Sequence, residues 1–129
     1  FSLDYIVWRG NMRYDVYWEV MFLNITSDMI YGYTDGIILR CLMDGDSYGY
    51  DLNSSISKKS GQQYELKEAT LYTTVRRLEK QGYVTSYWGN ESAGARRRYY
   101  SITEEGKKYF YQRLQEWNTM KKLLDVLFS

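Results

Sequence analysis

Between Lys67 and Thr103 the chain reads KEATLYTTVRRLEKQGYVTSYWGNESAGARRRYYSIT, a segment whose hydrophobic period changes once, from helical to strand-like. Leu71, Val75 and Leu78 recur at spacings of four and three, which predicts a helix with one apolar face. Thr70, Thr73, Arg76, Arg77 and Lys80 then fall on the rest of the cylinder, a polar and basic surface. Gly82 is placed to stop that helix, because glycine accepts the left-handed conformation that closes many helix ends. Tyr83 to Trp88 and Tyr99 to Ile102 are aromatic and β-branched runs that bracket a loose turn from Gly89 to Ala95, a hairpin pattern. Arg96, Arg97 and Arg98 follow the turn directly, within reach of phosphates or a minor groove beside whatever the helix touches. A basic helix followed by a basic hairpin has the parts of a DNA-binding winged helix.

The placement of charge carries more than its total. The chain has a formal net charge of +1, yet from Arg76 to Arg98 six basic residues face two acidic ones, Glu79 and Glu91. Basic charge gathered on one helix and one hairpin is an electrostatic footprint for nucleic acid. From charge alone a second reading stays open, in which the arginines solvate a sheet edge and discourage strand pairing.

Composition closes off several chemistries. Histidine is absent and Cys41 is the only cysteine, which excludes histidine acid–base catalysis, a His/Cys zinc site and an internal disulfide. No nucleotide-binding glycine loop or paired-carboxylate pattern nominates a catalytic group, so neither an enzyme nor a cofactor is expected. No apolar run approaches a membrane span, and the first residues lack a secretory pattern, so the expectation is a cytoplasmic protein. Fifteen tyrosines and four tryptophans suggest interfaces or a site for a flat ligand as well as core, with the filling of strand faces left open for most of the tyrosines.

The remaining chain divides into three parts. Residues 1 to 25 hold two strand-like runs, Leu3 to Trp8 and Met12 to Val20, separated by Arg9-Gly10-Asn11; a hairpin is expected. With Phe1 in place of an initiating methionine, this part reads as an N-terminal extension of unknown role, a cloning remnant or translated upstream sequence. Residues 26 to 103 form the winged-helix part. In it, Ser27 or Asp28 would cap a helix with the stripe Ile30, Tyr33, Ile37, Ile38, Cys41 and Leu42, and Ser47 would cap a second carrying Tyr48, Leu52 and Ile56. Residues 104 to 129 form a final helix, opened by Thr103 with Glu104 and Glu105 in the first turn. Its stripe Phe110, Leu114, Trp117, Met120, Leu124 and Leu127 outruns a small core and predicts a dimer interface; a fold-back onto its own domain stays open.

In this order and spacing, Gly45-Asp46-Ser47-Tyr48-Gly49-Tyr50, Glu68-Ala69-Thr70-Leu71-Tyr72, Arg77-Leu78-Glu79-Lys80, Ser86-Tyr87-Trp88-Gly89, Arg97-Arg98-Tyr99-Tyr100 and Ile102-Thr103-Glu104 resemble the PadR family of bacterial transcriptional regulators. The resemblance runs from about Met29 to Phe128. It is strongest toward the multidrug-binding, LmrR-like branch, through the EATLYT helix, the SYWG strand and a tryptophan in the final helix, Trp117. It implies a mostly helical fold with a small β-wing, a winged helix-turn-helix plus a long C-terminal dimerisation helix. It further implies a homodimeric repressor of double-stranded DNA whose paired tryptophans stack on a planar aromatic molecule and so release the operator. Thr70, Tyr72, Thr73 and Arg76 would meet DNA from the reading helix, Arg96, Arg97 and Arg98 from the wing, and Tyr48 and Tyr50 from the second helix's start. Beside Leu71, Tyr72 has two further orientations open, toward the core or toward the backbone. The implied operator is roughly palindromic, with an ATGT and ACAT pair about one helical turn apart. Other branches bind phenolic acids or fill the dimer centre, and a winged helix also serves as a protein-interaction module.

Overall fold

Burial of three leucine- and isoleucine-rich helix faces against one short sheet organises the chain. The computed structural model describes residues 8–9, 12–13, 30–91 and 94–129. The residues fall into two units, Phe1–Gly32 and Tyr33–Ser129. In the first, strand β1 (Trp8–Arg9) pairs antiparallel with β2 (Met12–Arg13), Trp8 opposite Arg13 and Arg9 opposite Met12. Arg9 thus lies in a strand of the expected hairpin, not in its turn; the rest of the two runs is outside the described residues, as are Ser27 and Asp28.

A 3-10 turn, Tyr31–Tyr33, precedes α1 (Thr34–Met43), the first helix of the second unit. Ile38, Leu39 and Leu42 fill the core, with Ile37 and Cys41 at its margin, so the buried face is rotated from the expected stripe to take in Leu39. Burial pushes the Cys41 thiol up from its ordinary value. Strand β3 (Ser47–Tyr48) and helix α2 (Gly49–Lys59) follow. Ser47 is therefore no helix cap: it pairs with Tyr100, and Tyr48 precedes α2 without a side-chain cap. A ladder partner some fifty residues away outcompetes local capping here.

Asn53 on α2 clamps the chain that leads into the next helix, accepting from the Leu66 N–H at 2.8 Å and donating to its carbonyl at 2.7 Å. Helix α3 (Glu68–Lys80) buries Leu71, Val75 and Leu78 as its spacing predicts. It closes at Gly82, φ 81°, where the Gly82 N–H reaches Glu79 and the Tyr83 N–H reaches Leu78, satisfying two terminal carbonyls. Strands β4 (Val84–Trp88) and β5 (Arg98–Ile102) form the hairpin, and β5 pairs antiparallel with both β4 and β3. The last helix, α4 (Glu104–Leu127), is capped by Thr103, whose hydroxyl accepts from the Gly106 N–H and donates to the Gly82 carbonyl. The result is a mostly helical winged helix-turn-helix with a three-stranded antiparallel sheet and a long final helix. No described helix is long and apolar enough to cross a membrane.

Candidate nucleic-acid interface

The apolar face of α3 is used up in the core, so its other side is left to solvent. Thr73, Arg76, Arg77 and Lys80 line an open groove of about 300 Å³ there. Thr70 is half-buried, and its carbonyl accepts a 2.8 Å hydrogen bond from the buried Thr74. Tyr72 is half-buried, with its hydroxyl end against Gly49, so closely that a Cβ on Gly49 would lie 2.5 Å from the phenol oxygen. Tyr72 thus turns against the start of α2. Tyr50, on α2, is largely exposed.

Strand alternation divides the three wing arginines. Arg98, opposite Trp88, shares the inner face of the sheet with Tyr100; its guanidinium lies 5.4 Å from the Trp88 ring centre and 3.9 Å from Glu79. Glu79 also accepts from the Ser86 hydroxyl at 2.9 Å, tying α3 to β4. Arg97 lies on the other side, 4.6 Å above the Tyr48 ring and 3.9 Å from Glu91. Arg96 donates from Nε to the Gly89 carbonyl at 2.9 Å. All three remain exposed.

A tyrosine ladder backs Arg97. Tyr48 meets Tyr99 edge-on at 5.5 Å, and Tyr87 stacks on Tyr99 at 5.6 Å, one ring from each strand. The Tyr87 hydroxyl donates to Asp46 at 2.6 Å and that of Tyr99 to Glu91 at 2.8 Å, and these bonds push both phenols up. Glu91 is held below the usual carboxylate range by its own backbone N–H and by Tyr99. Sequence spacing did not single out Asp46, Glu79, Glu91 or Asn53. Only the partners that the fold brings to them distinguish them from ordinary surface residues.

The stripe of α4 changes surroundings along its length. Phe110 packs against its own chain's core, whereas Leu114, Trp117, Met120, Leu124 and Leu127 are exposed, Trp117 by 41%. Trp117 meets Tyr33 edge-on at 5.4 Å, the Tyr33 hydroxyl points at Met120 Sδ, and Lys121 stands 5.8 Å over the indole. Leu123, Val126 and Phe128 are exposed as well, Phe128 by 85%.

Comparison with known proteins gives the family and the fold. Residues 38–112 match the model of the transcriptional regulator PadR-like family. A Lysinibacillus sphaericus protein described as uncharacterized protein X is 40% identical over 105 residues, 81% of this chain and 96% of that one. The negative transcriptional regulator PadR of Bacillus subtilis is 28% identical over 80 residues, 62% of this chain and 42% of its own length. Among solved structures, a transcriptional regulator from Clostridium thermocellum superposes with a TM-score of 0.71 at 49% identity, covering 77% of this chain and 93% of the other. Bacillus subtilis PadR in complex with operator DNA superposes at 0.56 and 25% identity, covering 62% and 45%. The chain belongs to the PadR-like family of transcriptional regulators.

Proposed function

We propose that the chain is a homodimeric repressor that sets α3 into the major groove of a roughly palindromic operator and its wing onto the flanking backbone. The observation that carries this reading is the basic groove of Thr73, Arg76, Arg77 and Lys80 on a helix whose opposite face is fixed in the core. Thr70, Thr73 and Arg76 read bases, with Tyr72 steadying the helix–helix angle from its seat against Gly49. Arg96 and Arg97, together with Tyr48, Tyr50 and Arg98, serve the phosphates and the adjacent minor groove. The operator complex of Bacillus subtilis PadR supports the mode of binding, and that relative's description as a negative regulator supports repression.

In the same reading, two copies pair through the exposed stripe of α4, and a planar aromatic molecule enters between their Trp117 rings to release DNA. Two indoles near a symmetry axis offer stacking surface, and each good aromatic pair adds about 0.5–1.5 kcal/mol beyond burial. The test is titration with a duplex carrying an ATGT and ACAT pair one helical turn apart, at several salt concentrations. Binding should weaken steeply as salt rises, because neutralised phosphates release counterions. Salt-insensitive or absent binding would favour a protein-interaction module instead. For the ligand, Trp117→Ala should weaken a panel of planar aromatic dyes by roughly tenfold, equivalent to about 1.4 kcal/mol. Unchanged dye affinity in a dimeric variant would leave Trp117 as packing only.

A further inference from the structure

Asp35, the second residue of α1, is only 5% exposed, and a carboxylate so far from water persists only with charged or hydrogen-bonding partners. Its partners come from three helices. One oxygen accepts from the Tyr109 hydroxyl at 2.7 Å and lies 4.0 Å from Arg77 Nη1; the other accepts from the Gly36 N–H at 2.7 Å and lies 3.4 Å from Arg113 Nη2. Tyr109 is itself fixed, stacked on Tyr83 at 4.4 Å, just where the chain enters β4. Burial, and after it the bond to Asp35, pushes the Tyr109 phenol up to about 12, so it remains a donor. The carboxylate is therefore an immobile point, held by α1 and α4, beneath the end of α3.

Arg77 reaches that point from one side and stays half-exposed, lining the same groove as Thr73, Arg76 and Lys80. A guanidinium carries five N–H donors in a rigid fork, so it can face a carboxylate on one edge and a phosphate or base on the other. We propose that Asp35 is a positioning residue for DNA recognition: it aims Arg77, a further DNA-contacting residue of α3, into the groove. Arg77 without this anchor is a long, free side chain that must lose its rotamer freedom on binding. With it, part of that ordering is in place before DNA arrives. A residue on α1, outside the DNA-facing surface, thereby sets the strength of a contact on α3.

This inference rests on the DNA-binding reading above, and a double-mutant cycle separates the two. Full-length Asp35→Asn, Arg77→Gln and the double variant are titrated with the ATGT–ACAT duplex and with a mixed-sequence duplex across a salt series, with thermal melts to verify folding. Each single variant should bind roughly tenfold more weakly, with a salt slope lower by about one, and the double variant should be no weaker than the single ones. Losses that multiply, or an Asp35→Asn protein with unaltered affinity and slope, would overturn the role of Asp35 while leaving DNA binding intact. If the parent binds neither duplex, both readings fall. Should Asp35→Asn fail to fold, the crystal structure of the unaltered protein on the duplex decides. Arg77 touching DNA while still beside Asp35 supports the proposal, and Arg77 turned away from either one overturns it.

Discussion

Two demands meet at Gly106, in the first turn of α4. Alanine would raise helix propensity there by about 1 kcal/mol. A Cβ at this position, however, would collide with the Tyr83 carbonyl oxygen and lie 2.8 Å from Ile102 Cγ1. Backbone cannot swing aside as a flexible side chain does, and overpacking of this kind costs about 1–3 kcal/mol. Gly106→Ala should therefore lower the melting temperature measured by circular dichroism; an unchanged or higher value would mean that α4 shifts to accommodate it. Gly36 in α1 is the control, since the nearest atom to its added Cβ is Arg113 Cβ at 3.9 Å. There the propensity gain stands unopposed, and Gly36→Ala should raise the melting temperature.

At the scale of elements, the wing's three arginines are anchored differently. Arg98 answers to Glu79 on α3, Arg97 to Tyr48 and Glu91, and Arg96 to a backbone carbonyl. Each keeps donors to spare, so a phosphate can be added without breaking these contacts. Replacing all three by alanine should weaken binding to operator and mixed-sequence duplexes alike and flatten the salt dependence. Thr73→Ala or Arg76→Ala should instead narrow the difference between the two duplexes, because base contacts carry discrimination. A triple variant that binds normally at moderate salt would remove the wing from the DNA surface.

For the whole molecule, the apolar end of α4 is the surface that stands out among the described residues. Leu123, Leu124, Val126, Leu127 and Phe128 all stay exposed, more apolar surface than one solvated helix end normally presents. In the proposed dimer a second copy of this helix covers them. Leu124→Asp with Leu127→Asp would place uncompensated charge in that interface, a cost of several kcal/mol. Size-exclusion chromatography with light scattering should then report monomer or aggregate where the parent gives a dimer. A double variant that remains dimeric would locate the interface elsewhere.

The apolar face of α3, the hairpin after it, its stop at Gly82 and the start of α4 at Thr103 were legible in the sequence. Each depends on residues a few positions apart, where period and capping chemistry are decided locally. The family resemblance was legible too, since it lies in the order of short motifs. Ser47 marks the limit: its local chemistry favours a cap, and only a strand far along the chain makes it a ladder residue. Asp35 marks it again, 74 positions from the tyrosine that donates to it. An acidic residue on the same face as Ile38, Leu39 and Leu42 was the one local sign that this carboxylate is buried. What surrounds it, and so what it holds in place, was decided by how α1, α3 and α4 pack, because burial strengthens only those charges that packing brings together.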